Sequence, residues 1–202
     1  MLQLPITAPA AALADAQARQ LVEARLQSLQ HYQVEFEQQV SDAGGDLLED
    51  SSGRFWLSRP DRFRWEYQLP WPRLILSDGE RIWLYDEELE QVTVRDFAGL
   101  LEQTPAALLA GRLDVLDGYA VSGERVDDRL LISLVPQQVQ SDFRVVELEF
   151  SGDDLAEMRL HDSFGRQTRI RFSRVKTQSV NAAEIFEFSV PEGVDVIDES
   201  GG

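Results

Sequence analysis

Apolar and polar residues alternate along much of this chain with the period of two that predicts β-strands. The clearest run is at 31–40, where Tyr32, Val34 and Phe36 alternate with polar neighbours and predict a half-buried strand. The same pattern predicts further strands at 53–59, 62–69, 73–77, 80–85, 90–95, 119–122, 129–135, 143–150, 155–161, 167–175 and 187–190. So many short strands in one small chain favour a barrel or a strongly curled antiparallel sheet.

Three other segments have helical patterns. Apolar residues recur near the 3.6-residue period over 10–30. A second helical region is predicted at 96–111, where Thr104 is placed as an N-cap and Pro105 as the first helical residue. A short helix is predicted at 182–186. These helices are too few to cover both faces of an open sheet. We therefore expect a mainly β fold, either a barrel or a strongly curled antiparallel sheet, in which the helices can cap one mouth.

The composition is that of a single globular domain. The chain has 202 residues, of which 43% are hydrophobic, enough for one sizeable core. We expect residues 1–14 to form an amino-terminal extension and residues 15–198 to form the domain. The chain has no cysteine, which excludes disulfides, thiolate metal sites and a cysteine nucleophile.

The charge narrows the range of partners. The formal net charge is −17, which repels the phosphates of nucleic acids and anionic membrane surfaces. We therefore expect no binding to nucleic acid. Docking should instead depend on basic surfaces of partner proteins.

Two neighbouring predicted strands carry an apolar face that is rich in aromatic rings. Residues on one face of a strand are two positions apart. This spacing groups Phe55, Leu57, Phe63, Trp65 and Tyr67. Each of them is compatible with an ordinary packed core, and the case for a cavity rests on the set. A curled sheet lined by few bulky side chains leaves space that a helix or a ligand must fill.

The hairpin at 73–85 is ambiguous. Asp78 and Gly79 between its strands give a strong turn signal. Both of its faces are apolar, since Ile75, Ile82 and Leu84 alternate with Leu74, Leu76, Trp83 and Tyr85. The alternation does not decide which set lines the interior.

Arg59 is the exception on the apolar face, because it lies in phase with Phe55 and Leu57. A guanidinium keeps its charge, and its donors require acceptors. The carboxyl ends of capping helices offer carbonyl groups without helical partners. One interpretation is that Arg59 bonds to such carbonyls and latches the lid. The other is that it ends its strand and points to solvent, because Pro60 follows.

Several short matches to one known family occur along the chain in the family's order. They are Arg59-Pro60 with Phe63-Arg64-Trp65, Ser77-Asp78-Gly79, Trp83-Leu84-Tyr85-Asp86, Glu90-Gln91-Val92-Thr93, Thr104-Pro105 before Leu108-Leu109, and Gly193-Val194-Asp195-Val196. Each match is weak alone, but the ordered set covers most of the chain. On these residues the chain resembles the LolA family of periplasmic carriers of outer-membrane lipoproteins.

The resemblance implies an unclosed β-barrel with a helical lid over a hydrophobic cavity. It also implies a monomeric, non-enzymatic periplasmic carrier without a cofactor. Such a carrier takes acylated outer-membrane lipoproteins from an inner-membrane ABC-type releasing complex and passes them to an outer-membrane lipoprotein receptor. Arg59 matches the arginine that holds the family's lid. The residues that we expect to line the acyl-chain cavity are Phe36, Phe55, Leu57, Phe63, Trp65, Tyr67, Ile75, Leu84, Leu101 and Leu108.

Two alternatives share this fold: a lipid-anchored receptor and a lipid-binding envelope sensor domain. The receptor is disfavoured because no cysteine is present to hold an amino-terminal lipid. A sensor would usually need a membrane tether or a further domain, and the sequence shows no segment of that kind.

Enzymatic interpretations have little support. His31 and His161 lie in strand-like segments with no nucleophile motif beside them. The acidic clusters at 86–88, 127–128 and 153–154 fall in turns and lack the spacing of a calcium loop. We therefore expect no catalytic residue and no metal site.

Overall fold

The chain is built around one large β-sheet in a computed structural model that describes residues 11–97, 109–110, 113–138, 141–176 and 185–200. Its strands are β1 (Ala11–Ala12), β2 (His31–Ser41), β3 (Leu47–Ser58), β4 (Arg62–Leu69), β5 (Arg73–Asp78), β6 (Arg81–Asp86), β7 (Gln91–Asp96), β8 (Tyr119–Val126), β9 (Arg129–Pro136), β10 (Phe143–Ser151), β11 (Asp154–Asp162), β12 (Gln167–Lys176) and β13 (Asp195–Asp198). The described part also contains helix α1 (Asp15–Ser28) and a 3-10 helix (Leu113–Gly118). Leu109 and Ala110 are helical as well.

The strand order shows that the sheet is not closed. The order is β1-β8-β9-β10-β11-β12-β2-β3-β4-β5-β6-β7-β13. Neighbouring strands are antiparallel, apart from the parallel pair β7 and β13. The strands β1 and β13 form the two edges of the sheet. The prediction of a mainly β fold with an unclosed, largely antiparallel sheet is confirmed.

The sheet curls around a large apolar core. Phe55 from β3, Ile132 from β9 and Leu148 from β10 belong to the same cluster of buried residues. Val22 and Leu26 of α1 complete this cluster from inside the curl. Strands that stand far apart in the sheet order can share one core only if the sheet bends around it.

Helix α1 begins later than the predicted segment at 10–30. Ala11 and Ala12 instead form β1 on the edge of β8, and the Leu13 N–H donates to the Gly123 carbonyl at 2.9 Å. A Cβ atom at Gly123 would lie 3.3 Å from the Cβ of Ala18, so the glycine allows α1 to pack closely on β8. The sheet therefore begins inside the segment that was predicted to be an extension.

Most predicted strands are present, with shifted ends. β3 begins at Leu47 rather than at 53, because Leu47 pairs with Ser41 of β2. β8 continues to Val126 rather than ending at 122. The predicted turn between β5 and β6 is present, and Gly79 has a φ of +104°, which glycine adopts without strain.

The prediction for the carboxyl-terminal segment is wrong. Residues 187–190 have no regular structure, and the strand near this end is β13. The alternation of apolar and polar residues at 187–190 predicted a strand, but Phe188 does not pair with a neighbouring strand. Its ring stacks on the outer face of the sheet instead, with its centroid 5.8 Å from that of Tyr85. The helices predicted at 96–111 and 182–186 lie mostly outside the described residues.

Candidate functional site

The inner face of β2, β3 and β4 carries a cluster of aromatic rings. The centroid of the Trp65 ring lies 4.8 Å from that of Phe55 and 4.9 Å from that of Phe36. Tyr67 meets Phe36 edge to face, with the two centroids 5.2 Å apart. Ring pairs at these distances are stabilised beyond the area that they bury. These strands therefore supply a rigid apolar surface to the interior.

Eight of the ten residues predicted to line a cavity are described. Those that are at most 2% exposed are Phe36, Phe55, Leu57, Phe63 and Trp65. Those that are partly buried and pack against the same core are Tyr67, Ile75 and Leu84. Leu101 and Leu108 lie outside the described residues. The eight side chains pack against one core, so a ligand that entered would have to displace some of them. Their role as an acyl-chain lining stays a prediction.

The other half of the interior is mostly aliphatic, with Phe150 of β10 as a buried aromatic ring, and its residues were not singled out from the sequence. They are Leu130, Ile132, Leu134, Val146, Leu148, Leu155, Met158, Leu160 and Ile170. Phe172 of β12 joins the two halves, with its ring 6.3 Å from that of Trp65. Alternation within β9, β10, β11 and β12 was the signal that could have identified them.

The structure resolves the ambiguous hairpin of β5 and β6. Ile82 belongs to the interior cluster, and Ile75 and Leu84 pack against it. Leu74 and Leu76 are also buried, but they lie on the other face. On that outer face Phe188 stacks against Trp83 and Tyr85, at 6.3 and 5.8 Å between ring centroids. The carboxyl-terminal segment thus covers the second apolar face.

Arg59 lies at one end of the inner face, next to the helical residues Leu109 and Ala110. Its guanidinium Nη2 donates a hydrogen bond to the carbonyl oxygen of Leu109. In the following turn, the Asp61 N–H donates to the carbonyl oxygen of Ala110 at 3.0 Å. Leu109 and Ala110 are fully buried. Arg59 therefore bonds to a helix carbonyl, as the sequence suggested, while its function as a latch stays a prediction.

The turn beneath Arg59 is held in place by the neighbouring strand. Asp61 has a φ of +67°, in the left-handed region, and its carbonyl oxygen accepts a 2.6 Å hydrogen bond from Ser77 Oγ. Burial lowers the pKa of Arg59 to about 10, and the nearby charge of Asp61 opposes that shift. Arg59 thus remains protonated at neutral pH, and its hydrogen bond to Leu109 is charge-assisted.

Polar side chains gather at the opposite end of the interior. We call Gln38, Glu49, Ser51, Tyr67 and Arg73 the polar collar. The Tyr67 hydroxyl donates to Gln38 Oε1 at 3.2 Å, and Arg73 Nη2 donates to Glu49 Oε1 at 3.1 Å. The Arg73 guanidinium also lies over the Tyr67 ring, 5.0 Å from its centroid. Burial raises the pKa of Tyr67 to about 12, so its hydroxyl stays protonated. The sequence singled out Tyr67 but not the other four residues of the collar, although they follow the same alternation as the aromatic cluster.

Exposed hydrophobic side chains surround this second end, which we call the open end. Leu47 and Leu69 lie at the ends of β3 and β4, and Trp71 and Leu89 lie in the turns after β4 and β6. Each of the four is more than half exposed. Exposed apolar side chains that gather in one region are typical of interaction surfaces.

The outer face of β10, β11 and β12 carries a charge network instead. Glu157 accepts hydrogen bonds from Arg159 and Arg169, the latter at 3.0 Å, and pairs with Arg171 at 3.5 Å. Burial alone would raise the pKa of Glu157, but the two hydrogen-bonded arginines outweigh it and lower that pKa. This network lies across the sheet from the apolar interior.

The described part of the chain contains no group of three or more histidine, aspartate or glutamate side chains placed to hold a metal ion. In the same part, no helix combines the length and the hydrophobicity that a membrane crossing requires. The two histidines have polar neighbours on the strands: His31 Nδ1 lies 3.4 Å from Ser58 Oγ, and His161 Nε2 lies 3.3 Å from Glu147 Oε2.

These features define a class of proteins in which an unclosed β-sheet wraps around an apolar interior. Several solved structures share this fold, and two of them show the extent of the likeness. An uncharacterized conserved protein from Thermus thermophilus superposes with a TM-score of 0.58 at 14% identity, over 90% of this chain and 99% of that one. A DUF1329 family protein from Desulfovibrio piger gives 0.53 at 15% identity, over 87% and 98% of the two chains. At these identities the likeness concerns the fold alone.

Sequence relatives identify the family within that class. The family described as outer membrane lipoprotein carrier protein LolA matches residues 27–189. An outer-membrane lipoprotein carrier protein from Chromohalobacter salexigens is 37% identical over 99% of this chain and 94% of its own length. One from Alkalilimnicola ehrlichii is 42% identical over 84% of this chain and 78% of its own length. The chain therefore belongs to the LolA family.

Proposed function

We propose that this protein is a periplasmic carrier of acylated lipoproteins. It takes them from an inner-membrane ABC-type releasing complex and delivers them to an outer-membrane lipoprotein receptor. It binds their acyl chains on the inner face of the sheet and performs no chemistry on them. The observation that carries the proposal is this inner face, which is apolar, aromatic on one side and bonded at one end to a helical segment. The names of the relatives, outer-membrane lipoprotein carrier protein, support it.

The apolar interior suits reversible binding of acyl chains. Each methylene group that leaves water contributes about 0.8 kcal/mol, so partial burial of an acyl chain could keep a lipoprotein in solution. The interior side chains must move to admit such a chain, because they pack on each other in the closed form. The packing that is lost on loading is regained on release, which keeps the affinity moderate.

Arg59 is proposed to act as the latch of the lid. Its bond to Leu109, together with the bond from Asp61 to Ala110, favours the closed, ligand-free state. Loading must break these bonds, so part of the binding free energy is used to open the lid. The bonds re-form when the lipoprotein leaves, which favours delivery to the receptor.

The charge is proposed to direct docking. With a net charge of −17, the carrier should be repelled by anionic bilayers and attracted by basic surfaces of its membrane partners. We expect it to act as a monomer and not to bind nucleic acid.

A release assay tests the carrier function. Inner-membrane vesicles that contain the releasing complex and an acylated lipoprotein are incubated with the protein and ATP. We expect the lipoprotein to appear in the soluble fraction in complex with this protein. The matched control cargo has serine in place of its acylated cysteine and should not form the complex. If the acylated lipoprotein stays in the vesicles, or if both cargoes bind equally, the proposal is wrong.

A further inference from the structure

The polar collar interrupts an otherwise apolar inner face. Gln38 follows Phe36 on the inward face of β2, and Ser51 lies directly opposite Gln38 on β3. Gln38 is 8% exposed and Ser51 is 2% exposed. These two polar groups are therefore buried on the same side of the sheet as the aromatic cluster.

Ser51 is the member of the collar that most needs an explanation. Its Oγ atom is buried and has no hydrogen-bond partner among the described residues. Native proteins leave few buried polar groups unpaired, because removing a hydroxyl from water without a replacement bond is unfavourable. Ser51 Oγ is therefore a donor available to a ligand that enters the interior.

Tyr67 and Gln38 can supply further donors. In the closed form the Tyr67 hydroxyl donates to Gln38 Oε1. A hydroxyl rotates freely, so a ligand oxygen can replace Gln38 as its acceptor, and the Gln38 amide carries two N–H donors of its own. The Arg73 guanidinium, paired with Glu49, lies over the Tyr67 ring and fixes its position.

We propose that the polar collar binds the carbonyl oxygens of the ester and amide groups through which acyl chains are joined to the lipoprotein. Such carbonyl oxygens accept hydrogen bonds and donate none, which matches the donors of Ser51, Tyr67 and Gln38. This inference rests on the proposed carrier function. It extends that function, because the carrier then recognises the ester and amide linkages as well as the acyl chains.

The position of the collar determines the direction in which the bound acyl chains run. Tyr67 and Phe63 are four residues apart on one strand, roughly 13 Å, and the strand end at Arg59 lies beyond Phe63. Acyl chains that extend from the collar toward Arg59 cross the aromatic cluster. The polypeptide of the lipoprotein then leaves at the open end.

A pair of matched ligands tests the assignment. One is a cysteine peptide with a dioctanoylglyceryl group, which has two ester carbonyls and chains short enough to remain monomeric. The other is its dioctyl ether, which has the same peptide and chain length without the two carbonyls. Both are measured by displacement of a fluorescent fatty acid from the full-length protein. We expect the wild-type protein to bind the ester about three- to tenfold more tightly than the ether.

The variants Ser51→Ala and Tyr67→Phe test whether these two side chains cause the preference for the ester ligand. Each should weaken binding of the ester about threefold or more and leave binding of the ether unchanged. Ser51→Ala should not lower the thermal unfolding midpoint, since Ser51 Oγ makes no hydrogen bond to any residue that the structure describes. Ser58→Ala is the matched control, because Ser58 lies on the same strand, is equally buried and is close to Arg59. It should change neither affinity.

Three results would overturn the inference. Equal binding of both ligands by the wild-type protein would show that the carbonyls are not recognised, while the carrier function would stand. Equal weakening of both ligands by Ser51→Ala and Tyr67→Phe would make the collar a purely structural feature. Failure of the wild-type protein to bind either ligand would count against the carrier function as well.

Discussion

The two ends of the interior carry different kinds of polar contact. At the Arg59 end, a charged side chain of the sheet bonds to the backbone carbonyl of Leu109, which lies fifty positions away in the chain. At the open end, the collar bonds join strands two places apart in the sheet, such as the bond from Tyr67 of β4 to Gln38 of β2. One set of contacts links the sheet to a separate helical segment. The other set lies within the sheet itself.

This difference indicates which end can move. Breaking the bonds of Arg59 and Asp61 removes two polar links between the sheet and the buried residues Leu109 and Ala110 without disturbing any strand pairing. The collar residues are held by the ladders of β2, β3, β4 and β5, so that end keeps its shape while its hydroxyl groups exchange partners. We therefore expect the Arg59 end to control opening and the open end to control recognition.

The largest expected effect comes from the aromatic cluster that joins the two ends. Trp65 is 2% exposed and contacts Phe36 and Phe55, so Trp65→Ala should lower the free energy of unfolding by about 3–5 kcal/mol. Urea denaturation measures this change. Trp71→Ala is the matched control, since Trp71 is 57% exposed, and it should shift the free energy by no more than about 0.5 kcal/mol. A mild effect of Trp65→Ala would mean that the two ends do not depend on a common core.

Alternation alone was sufficient to predict the faces of β2, β3 and β4. Between Tyr32 and Phe36 of β2, and between Phe63 and Tyr67 of β4, apolar residues lie on one face and polar residues on the other, so the period of two defines the inside. In β3 the inner residues Phe55 and Leu57 follow the same period, although Trp56 lies on the outer face. Alternation failed for β5 and β6, where Leu76 is as buried as Ile82. Their outer face is covered by Phe188, more than a hundred positions further along the chain. Sequence periodicity carries no information on such a distant partner.

The two ends were not equally predictable. Arg59 stood out because a charge on an apolar face needs acceptors, and a helix end could provide them. Gln38 and Ser51 did not stand out, because single polar residues near strand ends are common and their burial depends on how the sheet curls. The parallel strand β13 was also missed, since its pairing partner β7 lies more than a hundred positions earlier in the chain.

The second prediction tests the Arg59 end by itself. Arg59→Leu removes a charge-assisted hydrogen bond of about 1.5–3 kcal/mol from the closed state. The variant should load lipoprotein as well as the wild-type protein does, but it should transfer the cargo to the purified receptor about tenfold to a hundredfold more slowly. The rate at which cargo appears on the receptor measures the effect. The preference for the ester over the ether ligand should be unchanged, because the collar is intact.

Two further substitutions sharpen this test. Arg59→Lys keeps the charge but loses the planar fork of donors, so its transfer rate should lie between those of the wild-type protein and Arg59→Leu. Arg54→Leu removes an arginine from the outer face of the same strand, where Arg54 lies over the Trp56 ring, and should transfer at the wild-type rate. Transfer by Arg59→Leu at the wild-type rate would leave Arg59 as an ordinary residue at a strand end.

The smallest effect is expected from a change that touches neither end. Glu157 lies in the arginine network of the outer face, and its pKa in the folded protein is below its ordinary 4.5. A carboxylate with a lowered pKa stabilises the folded state above the pKa of the unfolded chain, and this contribution disappears as the pH falls through the folded pKa. Glu157→Gln should therefore destabilise the protein by about 0.5–1 kcal/mol near neutral pH, given solvent screening. The difference in the free energy of unfolding between Glu157→Gln and the wild-type protein should vanish in acid, and urea denaturation across the acidic range measures it.

Glu157→Gln should change neither the transfer rate nor the preference for the ester ligand. A change in either one would mean that the ends are coupled through the whole sheet, and the distinction between them would no longer hold.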